Sequence, residues 1–277
     1  MPKVLTTKQI KSYREDGFVF PVRVISEDEA LSIANKIEEA EQLYPEEIHP
    51  ESRNNLHLCF SFLDGLVHNR VVVEAMQDLF GPNLSLWASV LFCKESSSSQ
   101  YVSWHQDATY MGMNSNNFAT PWIALTPSTV EMGCMSMIPG SYDQKIREHE
   151  DTFDDDNILT RGQDITDVDD SNAVDVILRP GEMSIHSGTV VHGSKPNRSN
   201  NRRVGFALQS FMPPSINQAV GRNIWSHVCG KKRNDGEGFA LDRPRYDMDP
   251  VSVSQRKMAD ENLANILYKG SKIKRNY

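Results

Sequence analysis

Thr189-Val190-Val191-His192-Gly193-Ser194 is followed by Lys195-Pro196-Asn197-Arg198-Ser199-Asn200-Asn201 and then by Arg202-Arg203-Val204-Gly205-Phe206-Ala207. The first run reads as a strand over Thr189–His192 that enters a turn. The middle run is made of turn formers: Pro presets φ, and Asn and Ser side chains bond their own backbone. The last run reads as the returning strand. Side chains alternate across a strand, so Arg203, Gly205 and Ala207 share one face while Val204, Phe206 and Leu208 share the other. The second face is greasy packing. The first, one arginine among small residues, leaves room for a ligand. A hairpin of this kind brings its arms together and sets His192 near the arginine eleven positions later.

Working outward, short segments of the same kind recur at Leu84–Lys94, Trp122–Thr126, Met135–Ile138, Ala173–Leu178, Met183–Ile185 and Arg203–Phe211, with turn residues and no helices between them. That pattern favours a sandwich or jelly-roll barrel over a parallel α/β sheet. The first third reads as helical. Lys8–Glu15 follows two threonines and ends at Gly17. Ser26-Glu27-Asp28-Glu29 has capping-box spacing before a helix over Glu27–Leu43, and a third helix over Asn69–Phe80 stops at Gly81-Pro82. Ser96–Ser99 is a loop, and the acid-rich stretch from about 149 to 175 suits an insertion over one mouth of the barrel. Ser252–Tyr268 returns to helix before a basic tail with Lys272, Lys274 and Arg275. With no repeat and no clean linker, the expectation is one domain over 1–277. It has N-terminal helices at about 7–80, a core at about 84–214 and a C-terminal helical tail at about 252–277.

Composition narrows the function classes. The 277 residues are 39% hydrophobic and 24% charged with a net charge of −8, an ordinary globular balance without a basic nucleic-acid footprint. The start, MPKVLTTKQIKSYREDGF, is charged where a signal peptide needs an apolar run. No run approaches the ~18 apolar residues of a membrane helix. Cys59, Cys93, Cys134 and Cys229 form no CxxC pair, which points to reduced thiols. A cytoplasmic protein acting on a small molecule, with no nucleic-acid or membrane partner, is expected.

The chemistry starts at Trp104-His105-Gln106-Asp107. In an extended strand His105 and Asp107 project together, two-thirds of a facial triad for Fe(II) that needs one histidine from elsewhere. Alone, an HxD pair is also met as a plain surface His–Asp contact. His192 can supply the third ligand. An arginine in the same cavity suits 2-oxoglutarate, whose keto oxygen and near carboxylate chelate iron while its far carboxylate matches a guanidinium. Ser194 can add a hydrogen bond. Arg202 and Arg203 also read as two surface strand charges, and the sequence leaves open whether Arg202 takes part. His186 reads as a packing residue or a partner of the ligands, and His57, His68 and His227 as structural.

These motifs, with Gly133-Cys134-Met135, Ile138-Pro139-Gly140-Ser141, Pro180-Gly181-Glu182 and Pro196-Asn197-Arg198-Ser199, occur in an order and spacing that resembles the phytanoyl-CoA dioxygenase family of Fe(II)/2-oxoglutarate oxygenases. The resemblance runs from Asp16-Gly17-Phe18 to about Pro213. It implies a mainly β fold with flanking helices and a double-stranded β-helix (jelly-roll, cupin-like) core. It further implies iron held by His105, Asp107 and His192, and 2-oxoglutarate held by Arg203 with Ser194. Met132 stands where the family often has Asn, and Tyr142 where it often has His, which bears on pocket detail rather than on iron. Halogenating relatives replace the carboxylate with a small residue, so Asp107 favours hydroxylation. The expected activity is hydroxylation of an unactivated C–H bond in a small polar molecule, with dioxygen consumed and succinate and CO2 released. A 2-aminoethylphosphonate-like compound is one candidate, with Asn157, Arg161, Gln163 and Trp122 as substrate contacts. The alternatives are an acyl-CoA hydroxylase, a cupin-like metal isomerase or hydrolase, and a non-catalytic metabolite-binding module.

Overall fold

Hydroxyl caps open the first two helices, as their positions predict. In the computed structural model, which describes residues 2–50, 52–142, 145–233, 238–271 and 273, α1 (Thr7–Asp16) is closed by a reciprocal box. Thr6 Oγ1 accepts from Gln9 N, and the Gln9 side chain accepts from Thr6 N. The first third is not all helix, however. Phe18–Arg23 forms strand β1, burying Phe18, Val19 and Val22. It lies at a sheet edge, where Pro21 forfeits no ladder hydrogen bond, and its register shifts between Val19 and Val22. Next come α2 (Glu27–Leu43), capped by Ser26 accepting from Glu29 N, then α3 (Ser61–Val67) and α4 (Arg70–Phe80).

The β region holds β2 (Leu84–Lys94), β3 (Val102–His105), the short α5 (Ala108–Met111), β4 (Ala119–Ala124) and β5 (Met135–Met137). The ribbon strands β6 (Glu150–Asp151) and β7 (Gln163–Asp164) fall within the expected insertion, and β8 (Val174–Val176), β9 (Glu182–Ser187), β10 (His192–Ser194) and β11 (Arg203–Met212) follow. The sheet runs past the boundary expected near 214: β12 (Asn223–Cys229) and β13 (Gly238–Leu241) add two strands before α6 (Pro250–Leu267). Lys272, Lys274 and Arg275 lie outside the described residues.

A seven-stranded sheet, β1-β9-β4-β11-β2-β12-β13, faces a four-stranded one, β3-β10-β5-β8. One face of the larger sheet packs Val204, Phe206 and Leu208 in the same core as Ile37, Leu63 and Val72 of the helices. Its other face turns Trp122 and Ala207 toward Met135, Met137 and Val176 of the smaller sheet. Two layers with alternating strands between them make the expected jelly-roll.

The 189–207 stretch departs from the hairpin reading. The strand begins at His192 rather than Thr189, because the chain turns through 188–190: Val190 N donates to Ser187 O at 3.1 Å, and Thr189 Oγ1 to Tyr142 O at 3.0 Å. β10 then joins the smaller sheet and β11 the larger, so the two arms face each other across the interior instead of pairing. Asn197 fixes the crossing. Its Nδ2 donates to the carbonyls of Lys94, Glu95 and Asn201 at 2.8–3.2 Å, and its Oδ1 accepts from Ser199 N and Oγ.

Candidate metal centre

His105 ends β3 and His192 starts β10, and the two are cross-strand partners in the smaller sheet. Asp107 reaches them by a different route from the one expected. Its backbone is helical (φ −52°, ψ −41°) at the cap of α5, so a helical turn, not strand alternation, swings the carboxylate back. His105 Nε2 lies 3.5 Å and His192 Nε2 3.9 Å from Asp107 Oδ1, all three residues are buried, and their donor atoms lie within 4.8 Å of one another.

The tautomers are preset. His105 Nδ1 donates to Ser103 O at 2.9 Å and His192 Nδ1 to Val190 O at 3.0 Å, which leaves both Nε2 lone pairs aimed at the carboxylate. Burial, reinforced by the imidazoles of His105 and His186, pushes the His192 pKa well below its ordinary value and keeps the ring neutral. For Asp107 burial works the other way, but contacts with His105, His186 and His192 outweigh it and hold the carboxyl well below the usual range. Thr120 Oγ1 donates to Asp107 Oδ2 at 3.2 Å. Two imidazoles and one carboxylate, converging from one side, fit a ferrous ion and leave half of an octahedral shell for other ligands.

His186 differs from this pair. Its Nε2 sits 3.4 Å from Asp107 Oδ2 and its ring centroid 4.5 Å from that of His192, yet neither ring nitrogen has a hydrogen-bond partner. No carbonyl sets its tautomer.

Arg203 lies across the cavity. It is 2% exposed, its Nη1 donates to Gly133 O, its Nε has no partner, and its guanidinium sits 5.3 Å from the Trp122 ring centroid. Among the described residues it makes no ion pair. Burial lowers its pKa from 12.5 to about 10. Trp122 can lie there because residue 205 is glycine: a Cβ at that position would come within 1.8 Å of Trp122 Cζ2. Gly133 is likewise required, at φ +67° with a Cβ position 2.2 Å from Lys195 O. Ser194 faces the same space and accepts from Lys94 Nζ at 2.7 Å, so its own proton is left to give. Lys94 is fully buried, and burial together with Arg203 pushes its ammonium down to about 6. Arg202 points the other way, into a bidentate pair with Glu41 at 2.7 and 2.8 Å and a contact to Glu95 at 2.9 Å.

Of the expected substrate contacts, Trp122 lines the inner cavity and Gln163 a second chamber beside it. Asn157 and Arg161 line neither. Asn157 Nδ2 donates to Ser103 Oγ at 2.8 Å, and Arg161 Nε to Asp151 Oδ2 at 2.9 Å, so both brace the insertion. Sequence reading missed Thr120, Tyr110, Lys94 and Gln209. Thr120 and Gln209 were within reach, Thr120 two residues before Trp122 and Gln209 two residues after Ala207 on the cavity-facing side of their strands; Tyr110 carries no local signal.

Two facing sheets closed around a cavity make a double-stranded β-helix, a fold shared with 2-oxoglutarate-dependent non-heme iron oxygenases. The chain belongs to the phytanoyl-CoA dioxygenase family, whose model matches residues 13–205. It is 28% identical over 165 residues to a probable alpha-ketoglutarate-dependent hypophosphite dioxygenase of Stutzerimonas stutzeri, a match that spans 57% of each chain. It is 24% identical over 227 residues to the peroxisomal phytanoyl-CoA dioxygenase of Bos taurus, covering 72% of this chain and 66% of that one. Thus the matched stretch spans less than two thirds of these curated relatives. The non-heme monooxygenase ThoJ, solved in its apo form, superposes with a TM-score of 0.83 at 27% identity, covering 94% of this chain and 98% of that one. No helix among the described residues is long and apolar enough to cross a membrane.

Proposed function

We propose that the chain is an Fe(II)- and 2-oxoglutarate-dependent dioxygenase that hydroxylates a C–H bond of a small molecule. His105, Asp107 and His192 are read as the metal ligands, and Arg203 with Ser194 as the anchor of the oxoacid's far carboxylate. The observation that carries the reading is Arg203: a buried guanidinium with no carboxylate of its own, in the same cavity as three preset metal donors. When bound, iron and 2-oxoglutarate supply a two-electron oxidation by dioxygen, with succinate and CO2 as co-products.

The chain's own residues supply the geometry. The carbonyls of Ser103 and Val190 hold both imidazoles in their ligating tautomers, and Thr120 steadies the carboxylate. Trp122 and Gly205 shape the floor under the oxoacid, and Tyr110 covers the metal side. Its ring stacks 6.2 Å from that of His105, and its hydroxyl donates to Asp107 Oδ1 at 3.5 Å. Burial and the nearby Asp107 raise the Tyr110 phenol well above its ordinary pKa, so it stays a neutral donor.

Hydroxylation is the better reading because the carboxylate is present. A 2-aminoethylphosphonate-like substrate, or hypophosphite as in the name of the Stutzerimonas relative, needs a cation near the metal. Arg203, assigned here to the oxoacid, is the one Lys or Arg lining the inner cavity among the described residues. An acyl-CoA faces the same shortage. The test is anaerobic addition of Fe(II) and 2-oxoglutarate: a weak visible charge-transfer band is expected in the native protein and its absence in His192→Ala. Metal that binds without producing the band would contradict the reading.

A further inference from the structure

Phe92, Tyr110, Leu159 and Gln209 line both the inner space, about 490 Å³, and a second chamber of about 1130 Å³, each counted with its open mouth. The second chamber is walled by β2, by the 158–163 stretch and by α6. Its frame is apolar, with Trp87 and Leu91 on one side and Leu263 and Leu267 on another.

The two ionised side chains that face it are already engaged. Arg53 Nη2 lies 3.1 Å from Glu41 Oε1 and 3.8 Å from Glu95 Oε1. Asp260 meets Arg256 Nε at 3.2 Å through one oxygen and accepts from Asn55 Nδ2 at 2.8 Å through the other. An anionic ligand would have to draw Arg53 from two glutamates, and a cationic one would have to displace Arg256 and Asn55 from Asp260. What remains without a partner donates: a neutral amide and one nitrogen of the engaged Arg53 guanidinium. Gln163 is 3% exposed; its Oε1 accepts from Arg161 N at 3.2 Å, and its Nε2 is buried with no acceptor. Arg53 Nε is buried in the same condition. Buried donors without acceptors are costly, so a chamber that keeps them is shaped for a molecule that brings the acceptors.

Resting on the oxygenase reading above, we propose that this outer chamber is the substrate site and that it takes a neutral, largely apolar molecule bearing acceptor oxygens. Gln163 Nε2 and Arg53 Nε donate to its carbonyl, ether or hydroxyl oxygens. The apolar frame packs on Trp87, Leu91 and Leu263, and one C–H reaches the metal side past Tyr110. This places the substrate outside the small polar class expected from the sequence.

The experiment uses the full chain, anaerobic, loaded with Fe(II) and 2-oxoglutarate so that the charge-transfer band is visible. Testosterone, menthone and benzophenone are titrated as neutral probes against decanoate, decylamine, 2-aminoethylphosphonate and decanoyl-CoA. Binding is read from perturbation of the band and quenching of tryptophan fluorescence. At least one neutral probe should bind about tenfold more tightly than every charged one. Gln163→Leu should weaken that probe about fivefold or more, the effect of one lost hydrogen bond to a buried donor, while the unchanged band reports an intact fold. Leu263→Arg should block the probe and keep the band. A charged probe binding most tightly, no neutral probe binding, or indifference to Gln163→Leu would overturn the proposal. Loss of the band in the native protein would instead strike at the oxygenase reading itself.

Discussion

Replacing Arg203 with methionine removes the charge and keeps an unbranched apolar stem, and the structure makes the outcome two-sided. Burial brings the guanidinium from 12.5 to about 10, which at 1.36 kcal/mol per pH unit makes its charged form costly by on the order of 3 kcal/mol. Against this stands the hydrogen bond to Gly133 O, which contributes about 0.5–1.5 kcal/mol. The ligand-free Arg203→Met protein should therefore be more stable by about 1.5–2.5 kcal/mol, raising Tm by roughly 3–10 °C for a domain of this size. Function moves the opposite way. Truncating one partner of a buried charge pair costs about 2–5 kcal/mol, so the 2-oxoglutarate requirement should rise between about thirtyfold and a few thousandfold. Calorimetry without ligand and 2-oxoglutarate dependence of succinate release measure the two halves separately. A variant with a lowered Tm and an unchanged 2-oxoglutarate requirement would refute the idea that Arg203 is an uncompensated charge held for a ligand.

Arg202→Ala breaks a partly exposed bidentate pair with Glu41, so a cost of about 1 kcal/mol in urea unfolding is expected, with no change in 2-oxoglutarate requirement. Gly205→Ala drives a methyl into Trp122; overpacking of this kind costs about 1–3 kcal/mol and should also raise the 2-oxoglutarate requirement, since Trp122 lies beneath Arg203. His57, bonded to Ser89 and Ser226, is lowered by burial from 6.5 to about 4. The unfolded chain therefore binds the extra proton between those values. Its contribution is complete above pH 6.5 and is lost as pH falls toward 4, on the order of 3 kcal/mol in all. His57→Gln should flatten that part of the acid limb in denaturant titrations run from pH 7 to 4, and an unaltered slope would argue against it.

Much of the fold was legible because local chemistry and global packing agree. β2 and α2 begin and end at the residues their patterns mark, since an eleven-residue run with eight apolar residues and a serine-capped helix need no tertiary help to be read. The alternation through Val204, Phe206 and Leu208 likewise separates the helix-facing side of β11 from the side that carries Arg203 and Ala207. It also explains why Arg202, one residue earlier, ends on Glu41. What was not legible depended on partners far along the chain. Phe18–Arg23 is too short to announce itself and becomes a strand by pairing with β9. The arms around His192 and Arg203 look like a hairpin because the turn formers between them carry no sign that Asn197 will bind the end of β2 and route the chain between sheets. Asp107 meets His105 by a helical turn that HxD spacing cannot distinguish from a strand.

Several buried polar atoms without partners group along the two chambers, while others, Ser128 Oγ, Ser184 Oγ and Gln218 Oε1 among them, lie elsewhere. Arg203 Nε lies at the far end of the cavity, both His186 nitrogens beside the carboxylate, and Gln163 Nε2 and Arg53 Nε in the outer chamber. Folded interiors satisfy nearly all such groups, and each one left over weakens the native state unless something else supplies its partner. On the proposed function, those along the two joined chambers run from substrate to metal to oxoacid. It also separates two kinds of polar burial in this protein. His57 and Asn197 are fully bonded and hold the fold together. Arg203 and Gln163 are incomplete, so apolar replacements there should weaken ligand binding more than they weaken the fold.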